Sequence, residues 1–136
     1  MRSVTTLAAA FVILLSLAPA LVRADNNAAK VPANVTNKYC PVMGTANVVD
    51  PKVRMEYQGQ YVYFCCQGCL DMFKKDPAQY IAKMPKEDLE AIKANEKCPT
   101  SGEKVDPAIR SELKGKLVYF CCAACKAGFD KENGLN

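Results

Sequence analysis

Val62-Tyr63-Phe64-Cys65-Cys66-Gln67-Gly68-Cys69-Leu70-Asp71-Met72-Phe73 and Val118-Tyr119-Phe120-Cys121-Cys122-Ala123-Ala124-Cys125-Lys126-Ala127-Gly128-Phe129 carry one pattern written twice. In each copy a β-branched and aromatic run, suited to a strand, meets a cysteine doublet. The period then changes. Cys69, Met72 and Phe73 fall at i, i+3 and i+4, which predicts a helix from Gln67 to Lys75 with these three on its inward face.

Upstream, the copies continue to match. Asp50-Pro51-Lys52-Val53-Arg54-Met55-Glu56-Tyr57-Gln58-Gly59 faces Asp106-Pro107-Ala108-Ile109-Arg110-Ser111-Glu112-Leu113-Lys114-Gly115 without a gap. Val53 to Tyr57 alternates, Gln58-Gly59 supplies turn chemistry, and Gln60 to Phe64 reads as the return strand, so each copy holds a β-hairpin. Further upstream, Cys40-Pro41-Val42-Met43-Gly44 corresponds to Cys98-Pro99-Thr100-Ser101-Gly102, a tight knuckle whose glycine permits the bend. All eight cysteines lie in the repeat, four per copy.

The rest of the chain is arranged around this repeat. Met1 and Arg2, an apolar run from Leu7 to Leu17, and Val22-Arg23-Ala24 read as a signal peptide over residues 1–24, cleaved before Asp25. The expected location is exported, periplasmic or secreted. No later segment is long enough to span a bilayer, so no stable membrane anchor is expected. Residues 25–36 are polar and alanine-rich and are expected to be disordered. Module 1 runs over 37–84 and module 2 over 96–136. Asp76-Pro77 ends one helix and begins another, which turns Tyr80 and Ile81 inward. Between the modules, 85–95 reads as a linker helix with Leu89 and Ile92 on a narrow apolar stripe. The second copy has no counterpart of the Pro77 to Met84 segment. The expected fold is α+β: two small treble-clef-like modules, each of knuckle, hairpin and helix.

Composition narrows the chemistry. The chain has no histidine, which excludes mixed Cys/His zinc sites and histidine-based acid–base or nucleophilic catalysis. Without Arg2 and Arg23, 16 basic residues face 14 acidic ones. That balance gives no argument for a nucleic-acid partner. Modules of this size rarely fold on an apolar core alone and usually add a metal or disulfides. Soft thiolates without nitrogen or carboxylate partners favour Zn(II), Cu(I) and heavier thiophilic ions. A helix start also favours thiolate over thiol. The candidate ligands are therefore Cys40, Cys65, Cys66 and Cys69 for one ion and Cys98, Cys121, Cys122 and Cys125 for a second, up to two metal ions per chain.

Competing readings follow from the same residues. An oxidising compartment makes disulfides a rival to metal, although a bridge within either doublet is strained. A structural module stapled by zinc or disulfides, contacting a partner elsewhere, is the alternative function. Cys66-Gln-Gly-Cys69 and Cys122-Ala-Ala-Cys125 also match thiol-disulfide oxidoreductase spacing, but neither copy has room for a thioredoxin-like unit. The chain is expected not to be an enzyme. Met43, Met55, Met72 and Met84 are expected in the core, with Met43 the one candidate for a thioether ligand.

The segment Tyr57-x-Gly59-x-x-Val62-Tyr63-Phe64-Cys65-Cys66-x-x-Cys69-x-x-x-Phe73-x-x-Asp76-Pro77 resembles the TRASH/YHS domain, and the second copy resembles it in turn. The resemblance implies a treble-clef-like module tied to sensing, trafficking and resistance of heavy metals. It implies partners among metal transporters or other envelope proteins. By similarity the core ligands are Cys65 and Cys69, and Cys121 and Cys125; many relatives have serine where Cys66 and Cys122 stand. Several relatives place the early ligand just before the knuckle glycine. Here Met43 and Ser101 occupy that place, and Cys40 and Cys98 lie three residues earlier. The two sites are therefore expected to differ.

Overall fold

A computed structural model describes residues 31–135. The expected signal peptide lies outside the described residues, as does the first half of the stretch 25–36. Two modules of the same plan follow one another. In module 1, β1 (Tyr39–Cys40) and β2 (Gly44–Val48) form the knuckle, and β3 (Asp50–Tyr57) and β4 (Gln60–Phe64) form the hairpin. The helices α1 (Gln67–Lys75), α2 (Pro77–Ile81) and α3 (Lys86–Ala91) complete it. Module 2 has β5 (Asp106–Leu113), β6 (Lys116–Phe120) and α4 (Ala123–Glu132), with a Lys97–Lys104 bridge closing its knuckle.

Both hairpins turn through two residues with positive φ: Gln58 and Gly59 at 49° and 80°, Lys114 and Gly115 at 49° and 73°. Two successive left-handed residues match the right-handed twist of the flanking strands, which is why a glycine ends each pair. The registers agree: Arg54 faces Tyr63 and Met55 faces Val62, as Arg110 faces Tyr119 and Ser111 faces Val118.

The α1 helix spans the expected residues, but its inward face differs from the expectation. Cys69, Leu70 and Phe73 are buried, and Met72 points to solvent. Leu70, adjacent to Cys69, takes the place in the core that the i+3 position was expected to fill. Phe73 is fully buried and edge-on to Tyr57 and Phe64, with ring centroids 5.3 Å and 5.1 Å away. Asp76 caps α2 by accepting from the Gln79 amide, with Pro77 at the first helical position. Tyr80 and Ile81 pack against the core as expected.

The segment expected as a linker helix is shorter, and it serves as a clamp. Buried Asp88 on α3 accepts from the backbone amides of Lys38 and Tyr39 at 3.0 Å and 3.1 Å, and Ile92 is buried. An upstream element is also packed: Val35 lies against the core, and buried Thr36 donates to the Tyr61 carbonyl at 2.6 Å.

The modules also touch directly, and the contacts are reciprocal. The Tyr63 hydroxyl donates to the Gly115 carbonyl, and the Tyr119 hydroxyl donates to the Gly59 carbonyl, each at 2.7 Å. Arg54 pairs with Glu112 at 2.5 Å, and Arg110 with Glu56 at 2.6 Å. Equivalent residues exchange equivalent contacts, the signature of a local two-fold arrangement. Fully buried Gln60 breaks the symmetry: its amide bonds both the carbonyl and the amide of Leu117, at 2.9 Å and 2.7 Å. Among the described residues no helix is long and apolar enough to cross a membrane.

Candidate metal centres

Each site is assembled from three parts of its module. The knuckle presents Cys40, whose backbone is tied to the hairpin through Asn37. The Asn37 side chain donates to the Tyr39 and Tyr63 carbonyls and accepts from the Tyr63 amide, at 2.8–2.9 Å. Asn95 makes the same three bonds in module 2, to the Lys97 and Tyr119 carbonyls and from the Tyr119 amide. These asparagines saturate the free edges of β4 and β6 and fix each knuckle beside the end of the return strand. They also extend the repeat, as Asn37-x-x-Cys40-Pro41 and Asn95-x-x-Cys98-Pro99. That signal was legible in the aligned copies, but sequence reasoning aimed at metal donors passed over it.

The return strand delivers Cys65, and the first turn of α1 delivers Cys69. The three sulfurs of Cys40, Cys65 and Cys69 lie within 4.8 Å of one another, and so do those of Cys98, Cys121 and Cys125. A tetrahedral ion with bonds of about 2.3 Å to sulfur sets its sulfurs about 3.8 Å apart. The Cys65–Cys69 and Cys121–Cys125 separations are 3.6 Å and 3.7 Å. All eight cysteines are free thiols in this structure. The residues therefore fit a thiophilic ion at each centre.

Six of the eight expected ligands belong to these two triads. Cys66 and Cys122 stand outside them, exposed. Both occupy the N-cap position of a helix in extended backbone, with φ of −159° and −154°. Met43 is 54% exposed, so its side chain is outside the core. Ser101, its counterpart, brings its hydroxyl to 3.1 Å from the Cys121 sulfur.

The thiols are not equivalent in acidity. Burial pushes Cys40 and Cys98 upward, but amide hydrogens aimed at their sulfurs outweigh it. Cys40 faces the amides of Cys65, Met43 and Val42 and ends below its ordinary value. Cys98 faces those of Cys121, Ser101 and Thr100, together with the Ser101 hydroxyl, and is held at about 6. Cys66 and Cys122 are lowered chiefly by the Cys69 and Cys125 amides in the first helical turn. Burial raises Cys65 to about 11 and, with the neighbouring thiols, raises Cys69 further. Cys125 is raised to about 12, first by hydrogen bonds with Cys122 and Cys121. Cys98 thus offers a thiolate ready for a cation, Cys40 is biased toward that form, and the helix cysteines release protons when an ion binds.

The family model described as YHS domain matches residues 49–83. That span holds the β3–β4 hairpin, α1 and α2, and with them Cys65, Cys66 and Cys69, but neither Cys40 nor the second module. No curated protein and no solved structure matches the chain. The chain thus contains one YHS-type domain, and its second module repeats the cysteine triad in the same hairpin-and-helix setting.

Proposed function

We propose that the chain is an exported, non-enzymatic binder of soft metal ions, Zn(II) or Cu(I), with one thiolate centre per module, serving metal buffering, trafficking or resistance. The observation that carries this reading is convergence. Cys40, Cys65 and Cys69 come from a knuckle, a strand end and a helix, yet their sulfurs meet within 4.8 Å, and the second module repeats this. Both triads are all-sulfur, which selects soft ions over Mg, Ca or Mn. The apolar leader over residues 1–24 supports export, and a metal transporter or another envelope protein is the partner that fits a carrier there.

Burial of Cys40 and Cys98, at 1% and 2% exposure, favours a second reading. In it each ion is a resident staple and another surface meets a partner. Native mass spectrometry of the chain, with and without reductant, tests the first reading. Two bound ions are expected, and Cys69→Ser and Cys125→Ser should each remove one. A mass deficit of eight hydrogens with no metal, in protein recovered from its own compartment, would refute it. Transfer of both ions to a competing chelator separates handling from a permanent staple.

A further inference from the structure

Module 1 holds two sulfur triads with a common edge. The inner one is Cys40, Cys65 and Cys69. The outer one is Cys65, Cys66 and Cys69, with separations of 4.0 Å for Cys65–Cys66, 3.4 Å for Cys66–Cys69 and 3.6 Å for Cys65–Cys69. Cys40 is buried at the back of the arrangement and Cys66 is exposed at its front, with Cys65 half-buried between them. No position on the inner triad meets solvent as freely as the outer one does.

We propose that Cys66, with Cys65 and Cys69, forms an outer receiving site through which a soft metal ion enters and leaves the buried triad of module 1. This rests on the metal-binding reading above and adds the route. An ion arriving from solvent, or from the thiolate of a donor protein, binds the outer triad first. It then pivots on the Cys65–Cys69 edge. The bond to the Cys40 sulfur forms, the bond to the Cys66 sulfur breaks, and the proton of the Cys40 thiol ends on Cys66 through water. The ion keeps its oxidation state, and two of its three sulfur bonds persist throughout. Retaining two bonds explains why a fourth cysteine is worth placing at the exposed edge of the triad.

Cadmium(II) is a suitable probe, because its thiolate bonds absorb in the ultraviolet and report loading directly. Stopped-flow mixing of reduced chain with Cd(II), and chase of the loaded chain with a chelator, should be compared between wild type and Cys66→Ser. Cys66 lies at the surface, so the variant should keep its circular dichroism spectrum. The expected result is two ions bound in both proteins, with half of the amplitude slowed about tenfold in the variant, a barrier rise of about 1.4 kcal/mol. Loss of one ion would overturn the proposal by making Cys66 a resident ligand. Unchanged rates would overturn it, and equal slowing of both halves would do so by revealing a general structural effect. A wild-type chain that binds no Cd(II) when reduced would instead sink the underlying metal-binding reading.

Discussion

The two modules share a hairpin, a helix start and a cysteine triad, yet they are supported differently. Module 1 surrounds Phe73 with Tyr57, Phe64 and Tyr80 and closes over it with α2 and α3. In module 2 the equivalent Phe129 is only half-buried and meets Phe120 alone among aromatic rings of the described residues, at 5.0 Å. Where module 1 sets Met55 and Leu70, module 2 sets Ser111 and Lys126, and both of these bond Asp130. An apolar packing contact has become a small polar network. The triad survives this exchange because its position is set by the hairpin and knuckle rather than by what lies under the helix. One module is held by a core, and the other is held by its neighbour and by polar links.

The largest expected difference lies at the buried rings. Phe73→Ala should cost about 3–5 kcal/mol in urea unfolding of the metal-free chain, and Phe129→Ala about half that or less. Equal costs would show that module 2 has a core of its own. Next come the knuckle anchors. Asn37→Ala leaves the Tyr63 amide and carbonyl buried without partners and should cost about 2 kcal/mol. The less buried Asn95 should cost less on the same scale. A test by amide hydrogen exchange should find the Tyr63 amide losing protection in the first variant and the Tyr119 amide in the second.

The turn glycines come third. A Cβ on Gly115 would lie 2.3 Å from the Asn34 carbonyl oxygen and 2.4 Å from the Tyr63 hydroxyl, whereas one on Gly59 would meet the Tyr119 hydroxyl at 3.2 Å. Both substitutions carry the strain of a positive φ, about 1 kcal/mol. Gly115→Ala should also disturb the interface and lower the melting temperature more than Gly59→Ala. The polar network gives a pH signature confined to module 2. Hydrogen bonds from Lys126 first and Ser111 second hold the Asp130 carboxyl below its usual range. Its stabilising contribution is therefore present above the ordinary carboxylate value, about 4, and is lost as pH falls through the lower folded value. Protection of the α4 amides, taken relative to their intrinsic exchange rates, should fall on acidification before that of α1, and Asp130→Asn should remove the difference. The smallest effects belong to the Arg54–Glu112 and Arg110–Glu56 pairs. Each is worth at most about 1 kcal/mol in a double-mutant cycle, and each should fade in salt.

The sequence made the modules readable because a repeat reports which residues matter twice. The hairpins, α1 and α2 followed from period, glycine and Asp-Pro chemistry, all of which are local. The inner triads were half legible, since the positions of Cys65 and Cys69 relative to a helix start follow from spacing. What spacing could not decide was which doublet cysteine turns inward. The fold sets Cys65 and Cys121 beside the knuckle cysteines and leaves Cys66 and Cys122 exposed at the helix N-caps, outside the two compact triads. Met72 was misplaced for a similar reason: the i+3 position was favoured where neighbouring Leu70 fits the core. The interface between modules left no local trace. Tyr63 and Tyr119 read as core aromatics, and only the fold shows their hydroxyls crossing to the other hairpin.

Those crossed hydroxyls make the chain a fused dimer in miniature. Self-complementary contacts do not know which polypeptide they belong to, so the same bonds suit module 1 of one chain and module 2 of another. The short stretch between Ile92 and Asn95 supplies the selection, by raising the effective concentration of a module's own neighbour far above that of any stranger. Changing the length of that stretch would alter this effective concentration without removing any of the crossed bonds.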